Sequence, residues 1–94
     1  MSVSKASASR QYVRDLANSL SKHGSKRTVE QLAAYLNRRG LFSTHGKPYN
    51  GLRGTYTLVR ATYQWLKKQG LSSEADKVAA SFLRPDGSHA LRLN

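Results

Sequence analysis

A chain of 94 residues has room for one domain with a single modest core, so a two-domain enzyme is not expected. Its 16 Lys and Arg against 5 Asp and Glu give a formal charge of +11. A polyanion relieves such self-repulsion, and nucleic acid is the commonest, although basic ribosomal and membrane-surface proteins share the composition. The absence of cysteine excludes disulfides, thiolate nucleophiles and cysteine-ligated zinc.

No apolar run approaches the roughly 18 residues of a membrane span, and the first ten residues have no hydrophobic stretch of the secretory kind. The expected setting is a soluble protein of the cytoplasm.

Residues 1–8 are mostly Ser, Ala and Lys with little to bury, so a flexible basic arm is expected there, ahead of a folded domain over 9–84. A first helix is expected from about Ser9, because Tyr12, Val13, Leu16, Ala17 and Leu20 recur at the spacing of one apolar stripe. Gly24 stops it. Thr28-Val29-Glu30-Gln31 then has the form of a capping box, a Thr hydroxyl at the N-cap and a Gln three residues on, opening a second helix that runs to about Arg39. Val29, Leu32, Ala33 and Leu36 form its buried face, and Gly40 supplies the left-handed residue past its end. Leu41 and Phe42 are expected to fold back onto the core, followed by a polar turn through Ser43 to Pro48.

A third helix is expected from about Asn50 to Gln69, closed by Gly70. At 100° per residue, Leu52, Tyr56, Val59, Tyr63 and Leu66 share one side and define the expected core face. Arg53, Thr57, Arg60, Gln64, Lys67 and Lys68 form an adjacent stripe with no acid in it, the candidate face for a polyanion. Gly54, Leu58, Ala61 and Trp65 make a second apolar strip that needs a cover. The cover within the chain is a fourth helix over about Ser73 to Leu83, with Ser72 or Ser73 as N-cap, Glu74 and Asp76 in its first turn and Val78, Ala79, Phe82 and Leu83 on its apolar side. The cover outside it is a second copy, with Leu58, Trp65 and Phe82 as the seam of a homodimer. Arg84-Pro85-Asp86-Gly87 makes a turn, and residues 85–94 form a tail.

The expected fold is therefore all-α, a three- to four-helix bundle of helix-turn-helix type with a long recognition helix. Across Leu36-Asn37-Arg38-Arg39-Gly40-Leu41-Phe42-Ser43-Thr44-His45-Gly46-Lys47-Pro48-Tyr49, the chain resembles the DNA-binding region of large serine recombinases and related phage and plasmid proteins. The likeness covers about 14 residues and extends loosely upstream through Val29 to Ala33. It implies that the turn Thr44 to Lys47 lies against DNA, that Tyr49 is a buried aromatic, and that Asn50 and the stripe from Arg53 read bases. The chain departs from that family in the longer recognition helix, with Gly51 and Gly54 in its first turns, and in lacking the catalytic domain and the cysteine zinc ribbon. Recombination itself is not implied.

The chemistry of the residues suits DNA on its own terms. Arg53 and Arg60 can each offer a two-donor fork to guanine O6 and N7, and Asn50 and Gln64 can pair with adenine N6 and N7. His45 suits a phosphate or base edge. Lys26, Arg27, Lys47, Lys67 and Lys68 suit phosphates, as do Arg38 and Arg39, whose place near a helix C-terminus would equally complement its dipole. His23, His45 and His89 stand too far apart in sequence for a metal site. No nucleophile–base pair, carboxylate pair or phosphate loop is present, so neither an enzyme nor a cofactor or small-molecule ligand is expected. The leading expectation is a sequence-specific double-stranded DNA binder, such as a transcriptional repressor or accessory factor of a mobile genetic element. Its rivals are a nucleic-acid packaging protein without sequence preference and a module that binds a protein partner.

Overall fold

Residues 5–42, 46–49 and 53–91 of the chain are described by a computed structural model. They form four helices, α1 (Lys5–Lys22), α2 (Val29–Arg38), α3 (Arg53–Lys68) and α4 (Ser72–Ser81). One short parallel pairing joins β1 (Arg27–Thr28) to β2 (Phe82–Leu83). The protein is thus all-α, a four-helix bundle. None of the helices among the described residues is long and apolar enough to cross a membrane.

α1 begins at Lys5, four residues ahead of the expected start at Ser9, so residues 5–8 of the expected arm are helical. Ser9 is fully buried inside the helix instead of heading it. It shares a stripe with Val13, Ala17 and Leu20, all buried, while Tyr12 and Leu16 flank the stripe and pack against the core half-buried. Small residues at Ser9 and Ala17 leave space for close packing, and α1 packs chiefly against α4. That seam is pinned at one point by Glu74, whose carboxylate accepts from Arg14 Nε at 2.9 Å, Arg14 Nη2 at 3.2 Å and Asn18 Nδ2 at 3.0 Å. The Arg14 hydrogen bond, then that of Asn18, holds the Glu74 carboxyl below its ordinary range against the opposing push of burial.

α2 opens as its sequence predicts. The Thr28 hydroxyl accepts from the Gln31 amide at 3.2 Å and the Gln31 side chain accepts from the Thr28 amide at 2.9 Å, satisfying two amides that the first helical turn leaves without partners. It also closes as predicted. Gly40 takes φ +70°, its amide donates to Asn37 O at 3.0 Å, and the Leu41 amide donates to Leu36 O at 2.9 Å. This is the Schellman arrangement, which needs a left-handed residue and so favours glycine. Leu41 then packs against the core.

α3 carries the clearest departure from expectation. Its buried residues are Thr55, Leu58, Val59, Thr62 and Leu66, a face rotated by about 60° from the expected one at 100° per residue. The rotation is possible because a buried threonine need not be an unsatisfied polar group: the Thr62 hydroxyl donates to Leu58 O, one turn back, at 2.8 Å. Tyr56 and Tyr63 become half-buried flanks, and Leu52 lies outside the described residues. Of the expected second apolar strip, Leu58 is internal at 7 % exposed, Ala61 and Trp65 are half-buried and Gly54 is exposed.

α4 starts after Leu71, which makes no side-chain cap, so neither Ser72 nor Ser73 is the N-cap. It ends at Ser81, two residues before the expected limit, because Phe82 turns to extended backbone (φ −115°, ψ 134°). Phe82 is the largest fully buried side chain, and it fills the core from β2 while its backbone pairs with Arg27. Beyond it the supposed tail folds back. Arg84 N donates to Ser88 O at 2.7 Å, Gly87 N to Arg84 O at 2.9 Å and Ala90 N to Phe82 O at 3.0 Å, making a tight hairpin whose far arm buries Ala90 and Leu91. Asp86 stabilises the turn by accepting from the Ser88 amide and hydroxyl, which lowers its pKa.

Candidate nucleic-acid interface

Once the true buried face of α3 is known, the opposite face follows from helix geometry. Arg53, Thr57, Arg60, Gln64 and Lys68 are all exposed and fall within an arc of about 80° centred directly across from the core. Gln64 sits at the middle of that arc, with Arg53 and Thr57 on either side of it. The Thr57 hydroxyl donates to Arg53 O at 3.0 Å, which leaves its oxygen lone pairs outward. Lys67 lies at the margin, 5.6 Å above the Tyr63 ring and 4.0 Å from the Asp76 carboxylate of α4. That exposed ion pair competes with any phosphate for Lys67, though weakly.

Two further cations join the arc from other elements. On the Tyr56 edge, Arg84 of the C-terminal hairpin lies with its guanidinium 5.0 Å above the Tyr56 ring. There Arg53, Thr57, Arg60 and Arg84 share a cleft of about 360 Å³ with Leu91. On the opposite edge, Arg10 of α1 and Trp65 line a shallow depression with Gln64 and Lys68. Neither Arg84 nor Arg10 was marked in the sequence as a site residue. The turn Arg84-Pro85-Asp86-Gly87 was legible, but its contact with a tyrosine 28 positions earlier carries no local signal.

The acids stand away from this face. Glu74 is engaged by Arg14 and Asn18, Asp86 by Ser88, and Asp15 and Glu30 belong to α1 and α2. Asp76, beside Lys67, and Asp86, in the same hairpin as Arg84, are the acids that border it.

The other predicted contacts are dispersed. Lys26 donates through Nζ to Ala80 O at 3.1 Å, closing the C-terminal end of α4, and Arg27 donates to Lys26 O at 2.8 Å. Both therefore have structural work. Arg39 lies 5.3 Å above the Tyr12 ring, stacking α2 on α1, and Arg38 is exposed. Lys47 is exposed in the segment before α3, and Thr44, His45 and Asn50 lie outside the described residues. That segment is anchored through Asn37, whose amide donates to Tyr49 O at 2.7 Å and accepts from Tyr49 N at 2.8 Å. Tyr49 is buried.

One expectation is corrected. The seam assigned to Leu58, Trp65 and Phe82 cannot form as a unit, because Leu58 and Phe82 fill the chain's own core; Trp65 alone remains at the surface, half-buried. Among the described residues no group of His, Asp and Glu could hold a metal ion. Comparison of the chain with protein-family models, curated proteins and solved structures returned no match.

Proposed function

We propose that the protein binds double-stranded DNA and reads sequence with the outer arc of α3 in the major groove, as a regulator or accessory factor of the kind that phages and plasmids carry. The observation that carries this reading is the arc itself: Arg53, Thr57, Arg60, Gln64 and Lys68, exposed on one side of a 16-residue helix and free of acids. A straight helix of that length spans about 24 Å, and the major groove, about 12 Å wide, admits it. Gln64 at the centre of the arc suits adenine, while Lys68 and the cations along the edges suit phosphates.

The resemblance of residues 36–49 to DNA-binding regions of serine recombinases supports the same partner. Asn37 gives that stretch a physical task, since its clamp on Tyr49 fixes the approach to α3. The reading includes no catalytic step.

Selection of bound duplexes from a randomised pool tests the proposal. An enriched motif that Gln64→Ala relaxes at one position is the expected result. Tight binding without enrichment would favour a packaging role, and no binding even at low salt would favour a protein partner.

A further inference from the structure

The cleft beside α3 is chemically unusual. Arg53, Arg60 and Arg84 line it together with Tyr56, Thr57 and Leu91, and among the described residues no carboxylate does. The ion pairs among the described residues, Arg14–Glu74 and Lys67–Asp76, involve none of these arginines. Asp86, the nearest acid in sequence to Arg84, accepts from Ser88 and feels the Arg84 charge, but makes no ion pair with it. Arg84 is held in place by the Tyr56 ring and by a long contact from Nη2 to Ala90 O at 3.5 Å, while its Nε is buried with no acceptor. Three arginines line one cleft with none of them in an ion pair among the described residues, and one bears a buried N–H donor with no acceptor, so an anion placed there would gain from all three.

We infer that this cleft binds the oxygens of a single phosphate, with Arg60 and Arg84 as the clamp and Arg53 and Thr57 on the facing wall. Arg53 and Arg60 lie two helical turns apart, about 10.5 Å along the axis, with Thr57 between them. Side chains from both can therefore meet over Thr57. The guanidinium of Arg84, planar and pre-oriented by Tyr56, presents a fork that suits phosphate oxygens and loses little freedom in doing so. Arg60 then grips backbone and does not read a base, and the C-terminal hairpin adds a second contact beside the groove helix. The inference depends on the proposed function only for the carrier of the phosphate, a backbone phosphodiester in place of a free phosphate.

The test has two arms. In the first, duplex affinity is measured across a salt series for the wild type, Arg84→Gln and Arg60→Gln. Loss of one phosphate contact lowers the slope of log K against log[salt] by about 0.9. Each variant should show that drop with its sequence preference unchanged. Unaltered slopes in both variants would overturn the inference even if the duplex is bound specifically. Arg60 is exposed, so its variant carries the result should Arg84→Gln fail to fold. In the second arm, inorganic phosphate is added without nucleic acid and the Arg84 Nε–H resonance is followed. A saturable shift that Arg60→Gln weakens supports the site; no shift at Arg84 opposes it. Should the wild type bind no duplex yet show that shift, the proposed function falls while the phosphate site stands.

Discussion

Replacing Asn37 with Ala isolates the link between the bundle and the segment that leads into α3. The Asn37 side chain makes two hydrogen bonds to the Tyr49 backbone, at 2.7 and 2.8 Å, and Tyr49 is only 8 % exposed. Truncation leaves the Tyr49 amide and carbonyl without partners in a place that water reaches poorly. At about 1–1.5 kcal/mol for each bond, the loss is about 2–3 kcal/mol. For a domain of this size each kcal/mol moves the melting temperature by about 4–8 °C, so a fall of about 10–20 °C is expected by far-UV circular dichroism. Hydrogen exchange gives the local readout, since the Tyr49 amide should be protected in the wild type and exchange freely in the variant. A fall of less than about 3 °C with Tyr49 protection unchanged would refute the clamp, because it would place the two bonds near zero net worth.

Phe82→Ala empties the largest fully buried side chain and should cost about 3–5 kcal/mol, enough to unfold much of a marginally stable domain at room temperature. A normal melting curve for that variant would contradict its place in the core. Trp65 and the neighbouring Ala61 are half-buried, which leaves far less apolar area than the roughly 800 Å² per partner of a stable interface. The free protein should therefore sediment at the mass of one chain, as should Trp65→Ala. A dimer that this substitution dissolves would restore the self-association seam.

Glu74 supplies a pH dependence. Because Arg14 and Asn18 lower its folded pKa, its contribution is complete above the ordinary value of 4.5 and is lost as pH falls through the lower folded value. Between about pH 5 and pH 3 the wild-type melting temperature should fall more steeply than that of Glu74→Gln, which lacks the ion pair throughout. Parallel acid limbs would show that the Arg14–Glu74 contact contributes nothing measurable.

What the sequence disclosed was local. The Thr28–Gln31 capping box and the glycine-closed end of α2 depend on residues within about six positions, and both formed as their side-chain chemistry dictates. The phase of α3 was misjudged by about 60°, because apolar periodicity ranks a tyrosine above a threonine as a core residue. In the folded chain the Thr62 hydroxyl is satisfied inside its own helix, whereas Tyr56 and Tyr63 serve as platforms for Arg84 and Lys67. The exposed arc survived this error because Arg53, Arg60, Gln64 and Lys68 cannot be buried without partners. The hairpin after Phe82 stayed hidden for a different reason. Its anchors, the pairing with Arg27 and the stacking on Tyr56, join residues far apart in the chain.

The most direct test of the DNA-binding account is to titrate a short duplex carrying the selected motif into isotopically labelled protein and map the amide shifts. The account predicts changes concentrated at Arg53, Thr57, Arg60, Gln64 and Lys68, extending to the Arg84 hairpin, with Glu30 and Ala34 on the exposed side of α2 unaffected. Shifts centred on α2, or none at all at saturating duplex, would contradict the assignment of α3 as the DNA-binding helix.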